Sequence, residues 1–360
     1  MGKIVNQALR WAVMRAQGSG LFSGVRPLLK SVLLEGSLPL SSVVSSKSFA
    51  SFIDENGNKF KLIEGLRDAI KPGWRWVLQP DKNELPDKKR ARARYLAATN
   101  SVKKALSFLE CFGFRIEGAT ALEIGCWDGS RTFSLAANGA AHVIGSDISR
   151  YYVRVSDTAP DSGQKKFIYL EELRKVIRAA CESPVEDKVR FLEDDITKSG
   201  LPSSSFNFVC TWGVLEHVRE PARLFAEIER LLKPGGVAFH EYNPFFSVNG
   251  GHSHCTLDFL WGHVLLCERD FEKYLARFRP AEAEEALHFY KESLNRMTIA
   301  DLKRYSAKAG LKNLALIPWT EKANVELLTS SILRRAMEKY PELTVQDMTS
   351  PWIWLAQMKI

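Results

Sequence analysis

Three short acidic stretches, each at the end of an apolar run, carry the first chemical signal in this 360-residue chain. The first is Glu123-Ile124-Gly125-Cys126-Trp127-Asp128-Gly129-Ser130, which leads into a helical pattern from Arg131 to Leu135. Glycines let a backbone turn sharply off a strand and let a ligand approach with no Cβ in the way. A nicotinamide-binding loop would read Gly-x-Gly-x-x-Gly, with its middle glycine against a pyrophosphate. Here the spacing is Gly-x-x-x-Gly, with Glu123 ahead of the pair and Asp128 inside it, and carboxylates that close repel a diphosphate. A nucleoside bearing ammonium and sulfonium charges but no phosphate suits them better, which argues for S-adenosylmethionine over a dinucleotide on charge alone. Asp147 ends the next apolar run, where an acid can accept both ribose hydroxyls. The third stretch runs from Val189 to Ile196; there Asp195 could accept the exocyclic amine of adenine while Ile196 covers the ring. Any one of these acids reads equally as a solvated loop residue, but three at successive strand ends face a single crevice of an open α/β sheet.

Histidines supply the second signal. Four of the chain's seven, His240, His252, His254 and His263, fall in one stretch, and Gly250-Gly251 would let a loop there move or approach a ligand. Imidazoles with a near-neutral pKa suit a general base that takes a hydroxyl proton as a methyl group is attacked. His252 and His254 are the candidates, with helix capping or packing on Trp261 as the alternative. His217, in Gly213-Val214-Leu215-Glu216-His217-Val218, is a further candidate base and equally a structural histidine at a strand end. His252 and His254 together with Asp258 could also ligate zinc or iron. Two imidazoles at i, i+2 on a loop are a loose pattern, so no metal is assigned.

The elements that must position these groups alternate from Ala119 onward as apolar runs and helical stretches, the pattern of a parallel sheet with crossover helices. Strands are predicted over 120–124, 141–147, 206–212 and 236–242. Between the last two, Leu224, Phe225, Ile228, Leu231 and Leu232 lie on one helix face, and Lys233-Pro234-Gly235-Gly236 stops that helix.

Taken together, Glu123-Ile124-Gly125-Cys126-Trp127-Asp128-Gly129, Gly145-Ser146-Asp147-Ile148, Asp195-Ile196, Phe206-Asn207-Phe208-Val209, Gly213 to Val218 and Leu231 to Gly236 resemble the class I S-adenosylmethionine-dependent methyltransferases in order and spacing. The resemblance covers roughly residues 100–242 and a C-terminal part: Thr298 to Leu311 is similar to the family's last sheet-covering helix, 314–317 to the next strand and 352–358 to the closing one. It implies an α/β, Rossmann-like sheet of seven strands with the last antiparallel and helices on both faces. It also implies contacts to S-adenosyl-L-methionine by Gly125, Gly129, Asp147, Asp195 and Ile196, with Glu123 near the amino-acid end and Cys126 and Ile148 beside them. Asn207 stands where the family often has Asp, at a position that is usually structural. Residues 244–297 are left as an insertion beside the strand ends, read as a substrate lid. Asn243-Pro244-Phe245-Phe246 is similar to the Asn-Pro-Pro-Phe/Tyr motif of enzymes that methylate nucleobase amines, but it follows the wrong strand and its third residue is Phe.

Composition sets the outer limits. Hydrophobic residues make up 45% of the chain and charged residues 26%, enough for a proper core, and no apolar run is long enough to cross a bilayer. Six scattered cysteines without a Cys-x-x-Cys pair, and no secretory leader, favour a reducing, cytoplasmic setting. The net charge of +8 is concentrated at the N-terminus (Lys3, Arg10, Arg15, Arg26, Lys30) and in Lys88 to Arg94. The first reads as an amphipathic helix that packs on its own domain, with a membrane-surface segment or a transit peptide as the alternatives. The second reads as the charged face of a helix, since no aromatic-basic interleaving accompanies it. Residues 1–86, with a Ser-rich linker and a hairpin at Asn56-Gly57, form an accessory region ahead of a methyltransferase domain over 87–360. Three functions are compatible with these features: a methyltransferase acting on a small molecule, most simply at a hydroxyl oxygen; a cofactor-binding regulatory protein without turnover; and a nucleic-acid methyltransferase, for which the basic stretches are thin support.

Overall fold

A computed structural model describes residues 43–44, 47–78, 85–148, 162–181 and 183–360. The basic N-terminal stretch, with the amphipathic helix expected of it, lies outside these described residues. Strands β1 (Ser48–Ile53) and β2 (Lys59–Ile63) form the hairpin predicted around Asn56-Gly57. The carboxylate of Asp54 accepts from the N–H groups of Asn56 and Asn58 at 3.1 and 2.7 Å, and Gly57 takes the turn's positive φ of 79°. After helix α1 (Leu66–Ile70) comes α2 (Lys88–Glu110), which Asp87 caps by accepting from the Arg90 N–H. Ala91, Tyr95, Ala98 and Val102 face inward along α2, so the basic run occupies its outer face.

The central sheet follows from here, built as β3 (Thr120–Ile124), α3 (Ser130–Ala137), β4 (His142–Asp147), α4 (Ser162–Arg178), β5 (Val189–Glu193), β6 (Phe206–Trp212), α5 (Pro221–Leu231) and β7 (Leu232–Tyr242). Short helices α6 (His252–Cys255), α7 (Gly262–Leu265), α8 (Glu268–Phe278) and α9 (Ala283–Glu292) make up the insertion. The chain then returns through α10 (Ile299–Ala309), β8 (Leu311–Trp319), α11 (Lys322–Leu327), α12 (Ser330–Lys339), α13 (Val345–Thr349) and β9 (Trp352–Lys359). Strand order is β5-β4-β3-β6-β7-β9-β8, with β9 antiparallel to both of its neighbours and the remaining pairs from β5 to β7 parallel. This is the seven-stranded α/β sheet expected. Right-handed crossovers place the carboxyl ends of β3, β4, β5 and β6 along one edge.

Two details explain why the sequence folds this way. Asn207 Oδ1 accepts from the Thr120 N–H at 3.0 Å and from Lys233 Nζ at 3.2 Å, pinning the starts of β3 and β7 to β6. Helix α10 begins in a reciprocal Thr298–Asp301 capping box and ends on Gly310 at φ 83°. Two strands run longer than predicted: β7 begins at Leu232 because Leu232 pairs with Phe206 across an irregularity in the ladder, and β8 spans Leu311–Trp319 because its ladder with β9 extends beyond 314–317 at both ends.

Two apolar cores cover the faces of the sheet. A third holds Phe52, Phe60, Leu62 and Leu66 of the N-terminal segment together with Phe245, Phe246, Trp261 and Phe271 of the insertion and Met348 of α13. The N-terminal segment and the insertion are therefore packed as one layer. A buried charge set joins them: Arg67 Nη1 lies 2.8 Å and Arg279 Nε 2.5 Å from Glu282 Oε1. Arg67 Nη2 also donates to Glu282 Oε2 at 3.3 Å and to the Ser253 carbonyl at 3.1 Å, and Arg279 donates to the carbonyls of His254 and Thr256 at 2.7 and 3.0 Å. Arg67 Nε is left without a partner among the described residues. Burial pushes Arg67 below its ordinary value, whereas at Glu282 burial is outweighed by Arg279 and Arg67, which hold the carboxyl below the usual range. Replacing Arg67 with Met would strand part of this charge away from water, and we expect a loss of about 3 kcal/mol in urea unfolding; a change under about 0.5 kcal/mol would show that the set holds nothing together.

Candidate functional site

The loop after β3 is held from below. The Gly125 and Cys126 N–H groups both donate to the Ser146 carbonyl, at 2.8 and 3.0 Å, and Gly125 and Gly129 each take φ 74°. A Cβ at Gly125 would strike the Val214 Cγ2 methyl, and one at Gly129 would lie 2.5 Å from Phe191 Cζ. The glycines thus admit side chains from neighbouring loops and strands as well as any ligand. Trp127 sits at φ 38°, unusual for a large residue, and half its surface is exposed.

Around this loop the predicted acids take distinct positions. Asp147 accepts from the Trp127 N–H at 2.9 Å and from the N–H of its own neighbour Ile148 at 2.8 Å, so it is oriented at the crevice. Asp128 accepts from the Ser130 N–H at 3.0 Å just ahead of α3, whose N-cap is Gly129, and Arg94 stands 3.8 Å from its other oxygen. Glu123 is buried, accepts from Thr132 Oγ1 at 2.5 Å, and is pushed by burial up to about 8, with Arg131 pulling part of the way back. Burial likewise raises the Cys126 thiol, whose Sγ lies 3.5 Å from Arg174. Asp195 caps the short turn Ile196–Lys198 by accepting from the Thr197 N–H and Oγ1 at 3.0 and 2.8 Å. Ile196 is only 5% exposed, within the core that holds Leu122, Leu215 and Leu224, so it keeps little surface to cover a ring.

At the end of β6 the chain turns through Gly213, at φ 64°, into the turn Leu215–His217. The end of the insertion clamps this turn: Asn295 donates through Nδ2 to the carbonyls of Leu215 and Val218 at 2.6 and 2.9 Å, and through its N–H to Glu216 O at 2.8 Å. Glu216 is fully buried, and neither carboxylate oxygen accepts a well-formed hydrogen bond. Burial pushes it up to about 8, against backbone N–H groups and the charge of Lys71. His217 Nδ1 lies 2.6 Å from the Ser293 carbonyl. A carbonyl only accepts, so Nδ1 carries the proton and Nε2 presents a lone pair.

His252 meets this turn from α6. Its Nε2 is 3.9 Å from Glu216 Oε1, and its ring centroid is 5.0 Å from that of His217. Phe289 packs against the rings of His217, His252 and His254, nearest to His254 at 4.6 Å. His217 and His252 are thus brought together, whereas His254 is buried beside Phe289 with its carbonyl bound to Arg279. Neither of the first two has the near-neutral pKa expected: burial lowers His217 to about 4 and His252 well below its ordinary value, and the nearby Lys71 charge adds to both. The glycine pair is also buried, and a Cβ at Gly250 would collide with the Pro244 carbonyl, so these glycines permit close backbone packing.

The His252, His254 and Asp258 metal set is not assembled, because Asp258 is bound by the Tyr274 hydroxyl. Instead, donor atoms of Glu216, His217 and His252 lie within 4.8 Å of one another. A divalent cation could fit such a trio, but the Lys71 ammonium within electrostatic reach of all three opposes a second positive charge there. His240, 2.9 Å from Thr211 Oγ1, and His263, 2.8 Å from the Phe245 carbonyl, are core histidines. Asn243 binds the Pro351 carbonyl at 2.5 Å with Phe245 and Phe246 in the core, which removes the base-methylating motif. Sequence reasoning missed Glu216 and Lys71. The first could have been suspected as an acid among Leu215, Val214 and Val218; the second carries no local signal.

Bringing a cationic ligand against Glu123 should convert its neutral carboxyl to carboxylate. Calorimetry of S-adenosylmethionine binding at pH 7 in phosphate and in Tris should therefore show release of close to one proton, lost in Glu123→Gln; equal heats in both buffers would refute this.

The profile of a methyltransferase domain matches residues 90–316. Among curated proteins, the mitochondrial ubiquinone biosynthesis O-methyltransferase of Dictyostelium discoideum is 27% identical over 124 residues, 34% of this chain and 35% of that protein. A sterol 24-C-methyltransferase of Gibberella zeae is 28% identical over 120 residues, 33% of this chain and 26% of that protein. The chain thus matches about a third or less of the length of these relatives. Among solved structures, an S-adenosylmethionine dependent methyltransferase from Mesorhizobium loti aligns with 15% identity and a TM-score of 0.41, over 70% of this chain and 96% of that one. With the profile spanning well over half of the chain, and a seven-stranded sheet closed by antiparallel β9, this protein belongs to the methyltransferase domain family and has the fold of the class I S-adenosylmethionine-dependent enzymes.

Proposed function

We propose that this chain transfers the methyl group of S-adenosylmethionine to a hydroxyl oxygen of a small molecule held between the carboxyl end of β6 and the insertion. The observation that carries the reading is the convergence of Glu216, His217 and His252 where the sheet edge meets α6. Relatives named for O-methyl transfer in ubiquinone biosynthesis support an oxygen acceptor, although another relative is named for transfer to carbon.

The acidic strand ends fit the cofactor. Asp147 is already oriented by two N–H groups to accept ribose hydroxyls, Asp195 lies at the next strand end, and Glu123 stands beneath the glycine loop as a counter-charge for an ammonium. When bound, the cofactor supplies an electrophilic methyl on a sulfonium. The chain's own residues do the rest. Burial around Phe289, His254 and Tyr242 keeps water from the acceptor, and the site must hold the attacking oxygen about 3 to 3.5 Å from the methyl. His252, partly exposed, takes the acceptor proton through Nε2, while Glu216, 3.9 Å behind it, is the stronger base of the pair and receives the charge. His217, fixed by Ser293, lines the same space with its lone pair.

The reading without turnover leaves this convergence unexplained. The nucleic-acid reading rests on the basic run, which lies exposed along the outer face of α2 with Arg94 over the Trp127 ring, and no aromatic-basic interleaving accompanies it. No helix among the described residues is long and apolar enough to cross a membrane.

S-adenosylhomocysteine should accumulate when the protein is given S-adenosylmethionine and hydroxyl acceptors, and His252→Ala should lower kcat by about 10² to 10⁴. Because Glu216 is neutral below about 8 and becomes a base above it, kcat should climb as pH passes through that value. The climb should vanish in Glu216→Gln; binding without product from any acceptor would sink the proposal.

A further inference from the structure

Lys71 closes α1 one turn after Arg67, and Arg67 is anchored to the Ser253 carbonyl between His252 and His254. The side chain of Lys71 is therefore carried against the same turn that presents His252. Three residues feel its charge, Glu216, His217 and His252, and they are the three that converge at the end of β6. Lys71 is half-buried, and burial lowers its pKa. Yet among the described residues Nζ makes no hydrogen bond or close ion pair, His252 Nε2 has no hydrogen bond, and the Glu216 carboxylate has no well-formed one, only weak contacts from backbone N–H groups. Buried polar groups without well-formed partners are costly, so Glu216 and His252, 3.9 Å apart with the Lys71 charge acting on both, mark a space shaped for something that satisfies them together.

The donor and acceptor pattern decides what that is. Lys71 only donates; the Glu216 carboxylate and the His217 lone pair only accept. A hydroxyl does both, giving its proton to the histidine–glutamate side and its lone pairs to the ammonium. An amine arriving as an ammonium would be repelled by Lys71, and a carbon nucleophile would offer it nothing.

We infer that Lys71, contributed by the N-terminal segment outside the family-matched region, is a catalytic residue that hydrogen-bonds the acceptor oxygen as it loses its proton, and that the acceptor is accordingly an acidic hydroxyl such as a phenol or enol. The inference rests on the methyl-transfer reading above. In the step, the acceptor O–H bond breaks and its proton goes to His252 and on to Glu216. The oxygen pair forms the new O–CH3 bond, and the S–CH3 pair stays on sulfur, leaving a neutral thioether. Lys71 keeps its own protons and stabilises the developing oxyanion.

The test is S-adenosylhomocysteine formation by the full chain with catechol, para-nitrophenol, benzyl alcohol and benzylamine as probe acceptors. Phenols should be favoured over the alcohol and the amine. Lys71→Met, matched in length but uncharged, should lose about 10²-fold in kcat on the phenols, with S-adenosylmethionine affinity within twofold of the wild type. Added ethylammonium should restore part of the activity of Lys71→Ala, which a purely structural lysine would not allow, and this arm decides the matter if the Met variant folds poorly. Wild-type turnover of phenols with Lys71→Met within threefold, or preferential methylation of benzylamine, overturns the role of Lys71 while leaving the methyltransferase assignment intact. No product from wild type with any probe overturns both.

Discussion

A single carboxylate shared between two guanidinium groups, all three out of water, decides where the second half of the candidate site stands. Glu282 takes Arg67 from the N-terminal segment and Arg279 from the end of α8, and the spare N–H groups of both arginines reach the backbone of residues 253–256. Two positive charges against one negative would be a poor arrangement in an apolar interior. It is tolerated because three carbonyl dipoles take further N–H groups, leaving only Arg67 Nε of the two guanidinium groups unpartnered among the described residues, and because the Arg67 guanidinium lies 3.4 Å from the centre of the Trp74 ring. The histidine turn thereby inherits the rigidity of an ion network, and the sheet edge and the α6 turn face each other at fixed distance.

The two halves of the site differ in how they could be read. Acidic residues at the tips of β3, β4 and β5 were legible because their positions follow from period and turn chemistry alone: an apolar run, then a glycine or an acid where a strand must end. Four of the strands were legible for the same reason, whereas the count of seven and the 314–317 and 352–358 runs that became β8 and β9 came from the resemblance to the family. The acceptor half was not. Lys71 and Glu216 are 145 positions apart, and nothing within ten residues of either says that burial and electrostatics will join them. His252 and His254 were both visible as histidines, but only the backbone of the α6 turn, with His252 at φ 52°, separates the one that meets Glu216 from the one beside Phe289.

The properties assigned to these residues from composition alone also changed on burial. An imidazole in water titrates near neutrality, and that makes histidine the natural candidate for a base. Enclosed among Phe289, His254 and a nearby lysine, the imidazoles of His217 and His252 are held neutral, while a carboxyl with no well-formed hydrogen bond becomes the more basic partner. Which group is acid and which is base is thus a property of the fold and not of residue type. Similarly, Gly125 and Gly129 look like ligand-clearing glycines in one dimension and prove also to leave room for the side chains of Val214 and Phe191.

Strand order has a consequence for how the molecule is made. β9 lies between β7 and β8, so during synthesis both of those strands exist with an unfilled slot between them until residues 352–359 emerge. Throughout that interval β7, whose Val237, Ala238, Phe239 and Tyr242 are buried in the finished sheet, presents an open hydrogen-bonding edge to the rest of the cell. A nascent chain stalled at residue 350 would be an aggregation hazard with nearly all of its sheet already formed, and quality control on the ribosome would meet it as such.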